Sequence, residues 1–440
     1  MRVDYYHAGT KGVETFTLDQ IYEDPSWAGS RINLIDTLNL GEYQVRIIDS
    51  STAALLYSRG YSTVFNEWQT TDEALAGTYH TFHETARFPY PRKTVRMTIN
   101  RRDSLMAFRE IFSVTIDPNS RKLVNREVRR PKFNVVPLME NGPPDTRVDI
   151  LILGDGYRAE DMQKFRADAK HFNDLMFSMA PFRQRAKDFN VRMVEVASQD
   201  SGIDKPDIGV WKSTALGTKY NTFGVTRYVL TEANKAVRDI ASAAPYDFLI
   251  LLLNDNRYGA GGIFNLYSSC YTRTDVAGRE WQMDYVYVHE FGHSFAGLGD
   301  EYYSSSFTDF YKSGVEPWEP NITALSDAAK IKWKGFIRPG TQIPTPWGKE
   351  IYDSLGRERA KLDRLAPDYY QKAEPFTRAQ EKILHSPEYA GKVGAFEGAG
   401  YKAHGLYRPS IDCRMFSLSL SDFDPVCTAA IIRMIDFYSH

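Results

Sequence analysis

Residues 283 to 303 carry the densest run of chemistry-bearing side chains, Met-Asp-Tyr-Val-Tyr-Val-His-Glu-Phe-Gly-His-Ser-Phe-Ala-Gly-Leu-Gly-Asp-Glu-Tyr-Tyr. His289 and His293 are four residues apart, and on a helix turning about 100° per residue such positions share a face. Two neutral imidazoles can then point at one ion, a donor set that suits zinc. Glu290 stands beside that face. A carboxylate there can take a proton from water acidified by a metal toward a pKa of ~7 and pass it to a leaving amine. The bare five-residue pattern also recurs in amphipathic helices with solvent-facing histidines. Here Tyr285, Val286, Val288, Phe291 and Phe295 mark a largely buried helix, and burying two His and a Glu without a metal leaves costly unpaired polar groups. These residues predict one catalytic Zn²⁺ held by His289 and His293, with Glu290 as general base in a hydrolysis.

A catalytic zinc needs a third protein ligand and one open position. Gly297 and Gly299 can adopt backbone angles closed to other residues, so they are expected to end the helix and turn the chain back toward the ion. Asp300 or Glu301 would then supply the ligand. Asp300 is preferred because a short side chain suits a ligand delivered directly by a turn; Glu301 is the alternative, and whichever is not the ligand would orient one or cap the next segment.

The elements that must position these residues change character along the chain. From Tyr5 to about Arg130, short alternating runs such as Glu42–Ile48 and Thr94–Ile99 lie between turn residues, the pattern of a β-sandwich. His80 and His83 lie in this region without an obvious third ligand and read as surface residues of a strand or loop. Asn141-Gly142-Pro143-Pro144-Asp145 reads as a domain junction. Beyond it, Val148–Leu153, Val191–Val196 and Phe248–Leu253 are strand-like, and they alternate with helical spacing over Ala159–Met179 and Thr231–Ala241. That alternation indicates an α/β domain with a buried central sheet. The expected organisation is therefore an all-β sandwich over residues 1–136, then an α/β catalytic domain over 137–440 with a central sheet and an active-site helix. Residues from about 318 to 400 mix Pro/Gly turns with charged helical patterns and read as an insertion that shapes a cleft wall.

Composition removes other classes. A formal net charge of −2 over 440 residues argues against a nucleic-acid partner. No window approaches the ~18 apolar residues of a membrane span, and the first residues lack the apolar core of a signal peptide. The 27 Tyr and 25 Phe are assigned to sheet packing before any sugar- or peptide-binding surface. Gly154-Asp155-Gly156 lacks the rest of a dinucleotide fingerprint, and Gly259-Ala260-Gly261-Gly262 lacks the Lys-Ser/Thr of a phosphate loop. Cys270, Cys413 and Cys427 are too few for a disulfide scaffold. Cys413 and Cys427 can pair or remain as buried thiols.

The stretch His289-Glu290-Phe291-Gly292-His293-Ser294-Phe295-Ala296-Gly297-Leu298-Gly299-Asp300-Glu301-Tyr302 resembles the signature of the bacterial IgA-specific metallopeptidase family, a metzincin-like group of zinc peptidases. Metzincins place Gly three and the third ligand six residues after the second His; here Gly297 and Asp300 each come one residue later. Tyr407-Arg408-Pro409-Ser410-Ile411-Asp412-Cys413-Arg414-Met415 is similar to the family's methionine-turn segment, which implies that Met415 floors the metal site. Metzincins often place an oxyanion-supporting Tyr two residues past that methionine, where Ser417 stands here, so the role passes to His404 or Tyr407. Arg257–Phe264 resembles the family's sheet edge, which implies an extended substrate pairing along Gly261, Gly262, Ile263, Phe264 and Asn265.

The resemblance further implies a β-sandwich N-terminal domain, a protein or peptide substrate that is extracellular or host-derived and in some cases glycosylated, and a secreted, periplasmic or surface-anchored location with the signal peptide trimmed. Two other readings stand beside the endopeptidase. One is a carbohydrate- or glycoprotein-binding surface protein with a structural or relict zinc; the other is a zinc amidase acting on cell-wall peptides. An intact Glu290 opposes the first, and an edge strand for extended peptide opposes the second.

Overall fold

Alternating side chains between Arg2 and Asn125 build two four-stranded sheets. One runs His80–Arg87, Arg2–Thr10, Val13–Tyr22 and Val124–Asn125; the other runs Leu55–Tyr61, Tyr43–Asp49, Val95–Arg102 and Phe108–Ile116. All neighbouring strands are antiparallel except the short parallel pairing at Val124–Asn125. Val3, Tyr5 and Ile21 of the first sheet meet Val45, Ile47, Val95, Met97 and Ile99 of the second in one apolar core, so the region is a β-sandwich. In this computed structural model the described residues are 1–24, 27–127, 133–273, 280–303, 311, 314–363, 368–419 and 422–439.

The central sheet has six strands in the order Ala260–Ile263, Tyr267–Tyr271, Phe248–Leu253, Val148–Asp155, Phe189–Glu195 and Asn134–Met139. The inner four are parallel, and the two outermost strands run antiparallel to their neighbours. Val148–Asp155 and Phe248–Leu253 are buried at every position, as continuous apolar runs are when both sheet faces are covered. Helix Met162–Ser178 connects two of the parallel strands, and helix Asn234–Ala241 precedes a third. Helix Glu280–Ala296 follows Tyr267–Tyr271 in the chain and lies against Tyr267–Tyr271 and Ala260–Ile263.

Backbone contacts divide the chain into two units. The first comprises Met1–Gly297 with Ile431–His440, the second Leu298–Ala430. The first unit therefore holds the sandwich and the central sheet together. Val64, Phe65, Trp68 and Phe82 of the N-terminal region share a core with Leu151, Leu153, Val194, Leu249 and Leu251, and Trp68 packs on Phe223 at 5.8 Å.

The second unit contains helices Lys349–Ala360 and Tyr369–Leu384 and the ribbon Phe396–Ala399 with Lys402–Arg408. Its small cores are centred on Trp333 with Val393 and Ala395, and on Ile322 with Ala399 and Leu406. The expected insertion of about 318–400 falls within this unit, with residues 364–367 outside those described. No described helix is long and apolar enough to cross a membrane.

Candidate metal centre

Helix Glu280–Ala296 is apolar on most sides. Tyr285, Val286, Tyr287, Val288, Phe291 and Phe295 are all buried, and Phe291 and Phe295 stack at 5.0 Å. This packing fixes the rotation of the helix and hence the direction of its polar residues. His289 is buried at 6% exposure and stacks on Tyr285 at 5.6 Å; His293 and Glu290 are half-buried. The two Nε2 atoms face each other at 3.1 Å, with the rings nearly perpendicular. An ion with Zn–N bonds of about 2.0–2.1 Å in tetrahedral geometry holds its nitrogens ~3.3 Å apart, so the pair is set at a ligand spacing.

The helix ends where glycines were expected to end it, but the two glycines act differently. Gly297 has φ of +63°, and its N–H returns to the His293 carbonyl at 3.1 Å, a left-handed cap that favours glycine. Gly299 does not adopt a positive φ. A Cβ there would come within 2.5 Å of Ile322 Cδ1, so that position is glycine for space and not for backbone freedom. Asn321, fully buried, pins this turn by accepting from the Gly299 N–H at 2.8 Å and donating to the Gly299 carbonyl at 2.9 Å.

The first unit ends at Gly297, so His289 and His293 lie in it and Asp300 lies in the second, three residues past that cap. Asp300 is buried at 7% exposure; its carbonyl accepts from Gly400 N–H at 2.8 Å, and the Tyr401 hydroxyl donates to its Oδ2. Burial, then the Asp300 charge, hold the Tyr401 phenol well above its ordinary pKa, so Tyr401 stays a donor. Glu301 is fully buried in a group with Cys413, Asp424 and Cys427. Its Oε1 accepts from Asn321 at 2.9 Å, and burial, then the Asp424 charge, raise its pKa.

Met415 is fully buried, and its carbonyl accepts from the Glu301 N–H at 2.8 Å, so it lies directly against the turn bearing Asp300. His404 is 79% exposed with Nδ1 at 3.2 Å from Glu397, while the Tyr407 backbone pairs with Thr323. Cys413 and Cys427 are free thiols with sulfurs 3.8 Å apart.

Gly261, Gly262 and Ile263 belong to the outermost strand. A Cβ at Gly262 would meet the Glu290 carbonyl at 2.5 Å and His293 Cβ at 3.0 Å; the metal helix rests on that strand with no room to spare. Both neighbours along the edge are engaged. Ala260 exchanges hydrogen bonds with Arg227 and Val229, the Phe264 carbonyl accepts from Ser62, and Asn265 bonds Ser294 and Gly60. Asp155, in the glycine pair dismissed as a nucleotide motif, is a structural anchor that accepts from Leu216, Thr214 and Thr218. His83 does find carboxylates, Asp4 at 3.6 Å and Asp19 at 3.4 Å, although Asp4 is already engaged by Arg2.

Tyr401, Asn321 and Tyr258 were not singled out by sequence. Tyr258 is exposed and lies near enough to Glu290 to interact with it electrostatically. Their positions depend on contacts far along the chain, and one Tyr among 27 carries no local signal.

A family model described as IgA Peptidase M64 matches residues 136–435. Another, described as Peptidase M64 N-terminus, matches residues 1–113. No curated protein matches the chain.

Proposed function

The chain belongs to the IgA peptidase M64 family and is a peptidase hydrolase that acts on protein; from that premise we propose that it is a zinc-dependent endopeptidase of metzincin-like architecture. The observation that carries this reading is the facing of His289 and His293 at 3.1 Å on one helix; Asp300 is assigned as the third ligand. Two imidazoles and one carboxylate form a donor set that fits zinc and leaves a fourth position open. Zinc, when bound, supplies a Lewis acid that polarises the scissile carbonyl and acidifies water.

The residues of the chain do the rest. Glu290 takes the proton of the attacking water and returns it to the leaving amine. Tyr401 orients Asp300, and the third-ligand role is assigned to Asp300 over Glu301. The substrate strand is assigned to Gly261–Ile263, narrower than Gly261–Asn265, because Phe264 and Asn265 already bond elsewhere. Hydrogen bonding alternates along an edge strand. Ala260 bonds away from the sheet, to Arg227 and Val229, so alternation directs Gly261 inward and turns Gly262 outward toward a substrate main chain. Oxyanion support is assigned to His404 or Tyr407 on family resemblance alone. Extracellular and host proteins, glycosylated or not, are the proposed substrates on the same ground, and a secreted or surface location goes with them.

Glu290→Gln is expected to lower kcat by at least ~10²-fold, the scale of a general base, while bound metal stays at the wild-type level. Full activity on denatured casein with metal retained would overturn the mechanism. A wild-type enzyme that cuts a cell-wall digest and leaves casein intact, in a chelator-sensitive manner, would replace the endopeptidase with an amidase.

A further inference from the structure

Glu301, Cys413, Asp424 and Cys427 all lie in the second unit, and each brings one ligand atom to within 4.8 Å of the others. All four are at least nine-tenths buried. Among the described residues, Glu301 Oε2 and Asp424 Oδ2 have no hydrogen-bond partner, a costly state for buried carboxylate oxygens. Their other oxygens are occupied: Glu301 Oε1 by Asn321, and Asp424 Oδ1 by the N–H groups of Val426 at 2.7 Å and Cys427 at 2.8 Å.

The sulfurs of Cys413 and Cys427 are 3.8 Å apart. A disulfide needs about 2.05 Å, whereas two sulfurs on one tetrahedral ion with Zn–S bonds of ~2.3 Å stand ~3.8 Å apart. Cys427 Sγ lies 3.3 Å from Glu301 Oε1. Cys413 Sγ faces two backbone N–H groups, of Met415 at 3.5 Å and Asp424 at 3.4 Å, which suits a thiolate.

We propose that Glu301, Cys413, Asp424 and Cys427 bind a second zinc ion, structural and fully enclosed, separate from the ion assigned to His289, His293 and Asp300. Two thiolates select zinc over magnesium or calcium, and four protein ligands leave no open position for chemistry. Arg408, fully buried, acts electrostatically on Glu301 and offsets part of the ligand charge. Adjacent residues then serve different ions. Glu301 donates its N–H to the Met415 carbonyl while its side chain shares the ion with Cys413, so the site ties the methionine segment to the turn that carries Asp300.

The test is zinc stoichiometry and coordination in the full chain. Wild type is expected to carry ~2 zinc per chain, and His289→Ala/His293→Ala to keep one whose X-ray absorption shows sulfur at ~2.3 Å. Cys413→Ser/Cys427→Ser is expected to lose that sulfur shell. The proposal is overturned if the histidine variant, which leaves the cluster untouched, holds no zinc, if its zinc has only N/O neighbours, or if intact mass shows Cys413 and Cys427 joined as a disulfide. These outcomes do not depend on peptidase activity, so they stand apart from a failure of the catalytic reading.

Discussion

Tyr401, half-buried, donates its hydroxyl to the buried Asp300. It touches the assigned ligand and not the reacting atoms, which makes it a positioning residue. Tyr401→Phe removes only the donor, so zinc affinity is expected to fall about 10- to 100-fold, the usual effect of losing a ligand's hydrogen-bond partner. Chelator competition measures this, and a wild-type affinity would remove Tyr401 from the site. The His289–His293 pair was legible in the sequence because helical periodicity alone places i and i+4 on one face. The choice between Asp300 and Glu301 was not. It turns on partners outside the local run: Tyr401 at Asp300, and Asn321, Cys413, Asp424 and Cys427 around Glu301. Gly297 could be read as a cap, whereas the reason for Gly299, the approach of Ile322, depends on a contact more than twenty residues away.

At the scale of elements, the contact between the outer strand and the metal helix sets the geometry of the site. A methyl group on Gly262 would meet the Glu290 backbone carbonyl at 2.5 Å, whereas one on Gly261 would meet the side chains of Tyr228 at 2.9 Å and Leu230 at 3.0 Å and no backbone atom nearer than the Val229 carbonyl at 3.1 Å. Side chains can yield where helix backbone cannot. Gly262→Ala is therefore expected to cost about 1–3 kcal/mol and to reduce kcat further than Gly261→Ala, as thermal melts and initial rates will measure. The buried runs Val148–Leu153 and Phe248–Leu253 announced themselves by composition; Ala-Gly-Gly-Ile has no such pattern, so the family resemblance and not periodicity pointed to it, and strand order places it at the edge.

Asp149 and Asp247 lie at the starts of neighbouring parallel strands. Burial, then the loss offset by Arg192 and Asn190, leaves Asp149 raised to about 6, and burial followed by the Asp149 charge raises Asp247 well above the carboxylate range. The folded state thus holds protons that the unfolded chain has released. This contribution is complete below the ordinary carboxylate pKa and is lost as pH rises through about 6. From pH 5 to pH 7 wild type is expected to lose about 1–2 kcal/mol through Asp149 alone, with Asp247 adding to it, and Asp149→Asn to show a flatter profile over the same window. An equal change in unfolding free energy between the two pH values for wild type and variant, measured by urea titration, would count against the pair.

On the scale of the whole molecule, alternating patterns revealed the N-terminal sandwich, and the turn-rich stretch at Asn141–Asp145 suggested a separable module. The first unit shows why the second inference does not follow from the first. The helix Val64–Trp68 lies between two strands of the sandwich in sequence, yet its apolar residues enter the core of the central sheet. No periodicity within five residues tells which of two cores a helix will join. Trp68 is 4% exposed and its ring packs on Phe223 and His80, so truncating it opens a cavity in a core shared by both regions. Trp68→Ala is expected to cost about 3–5 kcal/mol. Because the core is shared, the loss should lower one cooperative transition seen alike by far-ultraviolet circular dichroism and by residual peptidase activity. Two independently folding domains would instead give a biphasic melt in which activity survives the first step, and that result would make the sandwich a module in its own right.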